Sequence, residues 1–207
     1  MISTRRRTGA AILAVVAAAS ISVACGSGDT GATPVTTTTQ PVLTGPEGVE
    51  KSPEQQATEQ ATAKNAEFFA VLAKVEGDPL VDVNTLDTVA SGTVLDQLKA
   101  NINFRRSQGI VAKGALQVVN AEVTQLQAPK DEDGNPIPGK ASASMRVCVD
   151  NSNYDTVRPD GTSTLDPARI QQELGKPTLE NPLWPDSSGW RVVSDSVTAG
   201  GTPCDAT

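Results

Sequence analysis

The sequence predicts an α+β domain, and two observations carry that expectation. Over residues 52–107 apolar side chains recur at three- and four-residue steps between helix-starting and helix-stopping signals, whereas from Gly109 onward the period changes to two. Helical segments followed by a run of strands, not alternating with them, are the order of an α+β fold with an antiparallel sheet.

The first helix starts at Ser52-Pro53-Glu54-Gln55. Ser52 is a capping residue, Pro53 suits the first helical position, and Gln55 completes a capping box. Its apolar stripe runs through Ala61, Phe68, Leu72 and Val75, with Asn65 interrupting it, and Glu76-Gly77-Asp78-Pro79 ends it. After a short connection at 80–83, residues 85–90 read as a brief helix closed by Ser91-Gly92. A third helix is expected over 93–107, with Val94, Leu95, Leu98, Ile102 and Phe104 as its apolar set and Gly109 at its end.

Leu116, Val118, Ala121 and Val123 then lie on a valine-rich strand, where the step from Val118 to Ala121 breaks alternation and marks a bulge. The stretch 129–139 (PKDEDGNPIPG) is turn chemistry throughout. The next strand, 141–150, alternates Met145, Val147 and Val149 against Ser144, Arg146 and Cys148. Residues 154–157, the turn Arg158-Pro159-Asp160-Gly161 and residues 162–165 read as a hairpin. The segment 169–180 is compatible with strand or helix and is read as strand; Gly189-Trp190-Arg191-Val192-Val193 opens the last one.

Ahead of this body, Arg5, Arg6 and Arg7 precede an apolar run over residues 10–24, and Ser22-Val23-Ala24 leads into Cys25 and a Gly-Ser-Gly tether. The run falls short of the roughly 20 residues that cross a bilayer as a helix, and suits the h-region of a secretory signal over residues 1–24. Residues 22–25 resemble the lipobox of bacterial lipoproteins, with Ser22 where Leu is usual. The resemblance implies that Cys25 carries a diacylglycerol. The alternative is an ordinary secreted protein with a cysteine near its cut. Two acyl chains hold a protein on the outer leaflet, whereas one binds only marginally. Residues 25–50, rich in Gly, Ser, Thr and Pro, bury too little apolar surface to fold and are expected to form a disordered tether. Their threonine cluster, flanked by Pro34 and Pro41, has the composition of an O-glycosylated stalk.

Loss of residues 1–24 removes three arginines and no acids, leaving 14 basic against 24 acidic residues, a net charge near −10. Such a balance argues against a nucleic acid partner and against a polybasic membrane surface. Beyond Cys25 only Cys148 and Cys204 remain. In an oxidising compartment an even pair favours a disulfide; the alternatives are two free thiols or a metal site. No histidine and no Cys-x-x-Cys spacing is present, so no metal and no cofactor is expected.

Several short motifs, taken in order, resemble the nuclear transport factor 2-like superfamily, and more narrowly the secreted and lipid-anchored cone-fold proteins of actinobacteria. They are Arg106-Ser107-Gln108-Gly109 before the first long strand, Val147-Cys148-Val149-Asp150 with Tyr154, Asp160-Gly161, Gly189-Trp190-Arg191-Val192 and Pro203-Cys204. The resemblance covers residues 51–207 and implies N-terminal helices packed on a curved antiparallel sheet around a conical cavity. In that family the cavity serves catalysis, small-molecule binding or only protein contacts.

Asp150 and Tyr154 are the one close acid–phenol combination near a strand edge, and so the candidate cavity pair. Each also has a structural reading, Asp150 as a turn former and Tyr154 as a packed ring. Asp82, Asp87 and Asp96 read as caps and solvated helix surface. Arg105 and Arg106 are candidates for an anionic partner, although two charges at a helix end also complement its dipole. Trp190 reads as core, and Trp184, between Pro182 and Pro185, as an exposed contact.

The expected function is a lipid-anchored, non-enzymatic envelope module binding another envelope protein or a small apolar ligand. The alternatives are an enzyme or carrier using the cavity through Asp150 or Tyr154, and a phage-encoded lipoprotein that excludes superinfection.

Overall fold

The computed structural model describes residues 50–196 and 201–205. The chain divides into two units, 1–40 and 41–207, and all of the described residues belong to the second. The signal segment, Cys25 and nearly all of the tether lie outside the described residues. No helix among the described residues is long and apolar enough to cross a membrane.

The fold is α+β. Helix α1 (Pro53–Gly77) begins at the expected capping box: Ser52 Oγ accepts from the Gln55 N–H, and the Gln55 side chain accepts from the Ser52 N–H. The brief helix expected at 85–90 is a 3-10 helix, Val83–Thr88, with the Asp82 carboxylate capping it at the Asn84 N–H. Helix α2 spans Gly92–Ser107. Ile102 is its fully buried residue, and Phe104, counted by period among its apolar set, points to solvent.

Six strands follow: β1 (Val111–Lys113), β2 (Gln117–Gln127), β3 (Gly139–Asp150), β4 (Asp155–Val157), β5 (Gln172–Trp184) and β6 (Arg191–Ser196). Strands β2, β3, β5 and β6 form one antiparallel sheet in the order β2-β3-β5-β6, and β1 pairs with β4 in a small second sheet. The bulge expected between Val118 and Ala121 is present between Val118 and Asn120. The strand reading of 169–180 holds from Gln172 onward. The expected hairpin is reduced: β4 pairs with β1, and its link to the following segment is the turn bond from Arg158 N–H to Thr162 O, the Thr164 N–H bond to Thr156 O and a single bridge from Val157 to Ser163.

The core lies between α1 and the large sheet. Ala61, Phe68, Leu72 and Val75 of α1 meet Ala143, Met145, Val147 and Val149 of β3 and Val192 of β6. Burial alternates along the whole of β3, odd residues inward. The outer edge of β6 is covered by the chain at 89–91, through bonds from Ser91 N–H to Val192 O and from Val192 N–H to Val89 O, both 2.9 Å. This pairing removes an open strand edge. The two tryptophans fix the sheet to its surroundings. Trp190 Nε1 donates to Gln60 Oε1 of α1 at 2.9 Å, and Trp184 Nε1 donates to Pro129 O at 3.0 Å.

Cys148 and Cys204 form a disulfide, the favoured one of the three alternatives. It attaches the C-terminal segment beside the start of β5, where Leu174 N–H donates to Thr202 O at 2.7 Å.

Candidate functional site

A small cavity of about 100 Å³ lies between the middle of α1 and the inner face of the sheet. Three features of the sequence create it. On β5 the inward positions opposite the helix hold Gly175 and Pro177, which project little side chain into the space. On β3, Val147 pairs with Gly175 and Val149 with Glu173, so the floor is short and apolar beside a carboxylate. On β6 a register shift between Thr178 and Leu179 skips one residue and turns Asp195, the partner of Pro177, to the inner face.

The apolar wall is Phe68 and Phe69 of α1, with ring centroids 5.3 Å apart and planes at 77°, together with Leu116, Val147 and Val149. The polar groups are Asn65, Asn151, Glu173 and Asp195. Asn65 is 1% exposed, and among the described residues neither its Oδ1 nor its Nδ2 has a hydrogen-bond partner. Asn151, 8% exposed, donates from Nδ2 to Ile170 O at 2.9 Å, while its Oδ1 is unpartnered. Asp195 Oδ1 is also unpartnered and lies 3.4 Å from the point where a Cβ at Gly175 would sit. Buried polar atoms left unpaired cost on the order of 1–3 kcal/mol each, and three of the residues that line this cavity carry such atoms.

The charge in the cavity is of one sign. Burial pushes both the Asp195 and the Glu173 carboxyl groups above the usual carboxylate range, and for Glu173 the neighbouring Asp195 adds to the effect; the Lys176 backbone N–H opposes it at Asp195. No lysine or arginine is among the lining residues. Among the described residues, no group of three or more histidines, cysteines, aspartates or glutamates is placed to hold a metal ion.

The sequence-derived candidates lie elsewhere. Asp150 and Tyr154 are not a pair. The alternation of β3 turns Asp150 away from the face that carries Val147 and Val149. Its carboxylate accepts from the Ser152 N–H at 2.8 Å and from Gln172 Nε2 at 3.4 Å, and these bonds hold it below the usual carboxylate range. It is a turn former. Tyr154 instead donates to Glu76 Oε2 at the end of α1, and Arg105 donates to the same phenol oxygen at 3.2 Å.

Arg105 also forms an ion pair with Glu76. Burial works against the Arg105 charge, but Glu76 and Tyr154 together raise its pKa. Arg106 donates to the Val75, Asp78 and Val81 carbonyls at 2.6, 3.1 and 2.9 Å, joining the end of α2 to the end of α1. Both arginines are therefore engaged within the fold, Arg105 with Glu76 and Tyr154 and Arg106 with backbone carbonyls. Trp184, expected as an exposed contact, is 1% exposed and belongs to the core, because its indole N–H has a backbone acceptor inside.

Of the residues that do line the cavity, Asn65 had a sequence signal, as the polar interruption of an apolar stripe. Glu173-Leu174-Gly175-Lys176-Pro177 also carried one, since glycine and proline inside a strand leave room on one face. Asp195 had none, because strict alternation from the buried Val192 places it outside.

No family model and no curated protein matches the chain. Among solved structures, it is similar to the intermembrane space region of the chloroplast protein ARC6, at 12% identity over 67% of this chain and 94% of that one, with a TM-score of 0.45. It is also similar to a de novo designed β-sheet protein, at 16% identity over 70% of this chain and 91% of that one, with a TM-score of 0.26.

Proposed function

We propose that this protein is a lipid-anchored, extracytoplasmic binding module that holds a small, largely apolar molecule between α1 and the sheet. The observation that carries the reading is Asn65, a fully buried amide with neither end satisfied, facing a cavity otherwise walled by Phe68, Phe69 and valines. Small-molecule sites have this make-up, apolar walls with a few convergent polar groups. Helices packed over an antiparallel sheet with a cavity between them support the nuclear transport factor 2-like cone as the finer description of the fold.

The anchor is inferred from residues 1–28: a basic start, a short apolar run, small residues before Cys25 and a Gly-Ser-Gly tether after it. Fractionation of cells expressing Cys25→Ala tests it, and the variant is expected to leave the membrane fraction. A variant that stays bound would rule out the lipid anchor.

Native mass spectrometry of the full chain purified from an actinobacterial host tests the cavity. A retained small molecule, lost in a variant that fills the site, is the expected result. A clean apo mass would move the function to protein contacts on the outer surface. An enzyme is the second reading, with the raised carboxyl groups of Asp195 and Glu173 replacing Asp150 and Tyr154 as acid or base. It requires that the retained molecule be converted, whereas a binder returns it unchanged.

A further inference from the structure

The polar end of the cavity is rich in acceptors and has no countercharge. Asp195 and Glu173 line it from two adjacent strands, and Asn65, Asn151 and Asp195, which also line it, each carry a buried Oδ1 with no partner, Asn65 an unpartnered Nδ2 as well. None of the lining residues is basic, and no metal-binding cluster is present among the described residues. Acceptors without donors are costly in a low dielectric, and a bound group bearing several N–H bonds and a positive charge removes that cost. Two aromatic rings stand in the apolar wall, and the face of such a ring also attracts a cation.

We propose that the molecule held here is a small amphiphilic amine, its ammonium group seated among Asp195, Glu173 and the Asn65 and Asn151 carbonyl oxygens and its apolar body against Phe68 and Phe69. This assignment rests on the reading of the chain as a small-molecule binder. The ammonium donates up to three hydrogen bonds, enough for the acceptors that lack partners. A carboxylate ligand meets two like charges in the same place, and a neutral alcohol satisfies one acceptor and leaves the carboxyl pair as it was.

The test is isothermal titration of the full-length protein at neutral pH with three matched probes, hexylamine, hexan-1-ol and hexanoate, whose flexible chains adapt to the same cavity. The expected order is hexylamine tighter than hexan-1-ol by about tenfold or more, with no hexanoate binding, as for a charge-assisted contact. Asp195→Asn is expected to remove that preference while leaving hexan-1-ol binding in place. If this variant does not fold, as judged by circular dichroism, Glu173→Gln takes its place and is expected to reduce the same preference. Hexan-1-ol or hexanoate binding as tightly as hexylamine would overturn the amine assignment and leave the binding reading standing, as would a variant that keeps the full preference. Failure of all three probes to bind would overturn both.

Discussion

Tyr154 and Glu76, 78 positions apart in the chain, are joined by a 3.0 Å hydrogen bond from the phenol to the carboxylate, and Arg105 is bonded to both. The bond ties the start of β4 to the last turn of α1, with α2 supplying the cation. Removing the hydroxyl by Tyr154→Phe leaves a carboxylate oxygen and a guanidinium N–H short of a partner in a half-buried place. The expected cost is about 1–3 kcal/mol, because hydrogen bonds to charged groups are the stronger kind. Urea melts of the variant and the parent measure it, and equal midpoints would show that the triad does not support the fold.

The same phenol gives a pH prediction. Burial first, and then the Glu76 charge, push Tyr154 up to about 12 from an ordinary value of 10.0. A group whose folded pKa is raised stabilises fully below its unfolded pKa and loses that contribution as pH rises through the folded one. The protein should therefore weaken between about pH 10 and about pH 12. Tyr154 is the one tyrosine in the chain, so the phenolate absorbance on spectrophotometric titration reports it alone. A midpoint at the value of free tyrosine would contradict the arrangement.

Much of this architecture was legible in the residues, and the failures have physical causes. Caps and stops are local chemistry, so Ser52-Pro53-Glu54-Gln55 and the polar turn at 129–139 were read correctly. The alternation of β3 was equally clear, because that strand is buried on one face along its length. Trp184 was misread because proline neighbours suggest an exposed loop, while the acceptor that draws its indole inward, Pro129 O, is 55 positions away. The acidic lining of the cavity was missed for the same kind of reason. Asp195 reaches the inner face through a register shift between two strands, and a shift of that kind belongs to the pair and not to either sequence alone.

The disulfide should be worth more than most single contacts. Cys148 and Cys204 are separated by 56 positions, and closing a loop of that length restricts the unfolded chain by roughly 4 kcal/mol. Replacing both by serine is expected to lower the melting temperature clearly without changing where the protein is found in the cell. An unchanged melting temperature would mean that the bonds around Leu174 and Thr202 hold the C-terminal segment without the bridge.

Asp195 and Glu173 set an opposite pH trend from the exposed aspartates. Facing them from α1 are Asn65, Phe68 and Phe69, and from β3 Val147 and Val149, with no cation in the lining. Because burial raises the Asp195 pKa above its ordinary 3.8, the folded protein holds that proton more tightly than the unfolded chain does. Its contribution is full below that value and is lost as pH rises through the raised one. Asp195→Asn cannot titrate, so its melting temperature should gain on the parent as pH rises above the ordinary aspartate value of 3.8. Parallel curves for the two proteins would show that Asp195 is solvated and not part of an enclosed site.

Asn65 offers the sharpest separation of stability from function. In a helix whose other inward residues are Ala61, Phe68, Leu72 and Val75, an amide with no partner is a local fault, and natural sequences keep such faults mainly where a site needs them. Asn65→Leu replaces the amide by an apolar side chain next to Phe68 and Phe69 and fills part of the cavity. Relief of the unsatisfied groups should stabilise the protein by about 1–2 kcal/mol. The same change should abolish binding of hexylamine, since both the space and an acceptor are gone. A variant that is less stable than the parent would mean that Asn65 is held by bonds within the fold, and the cavity would then have to be explained without it.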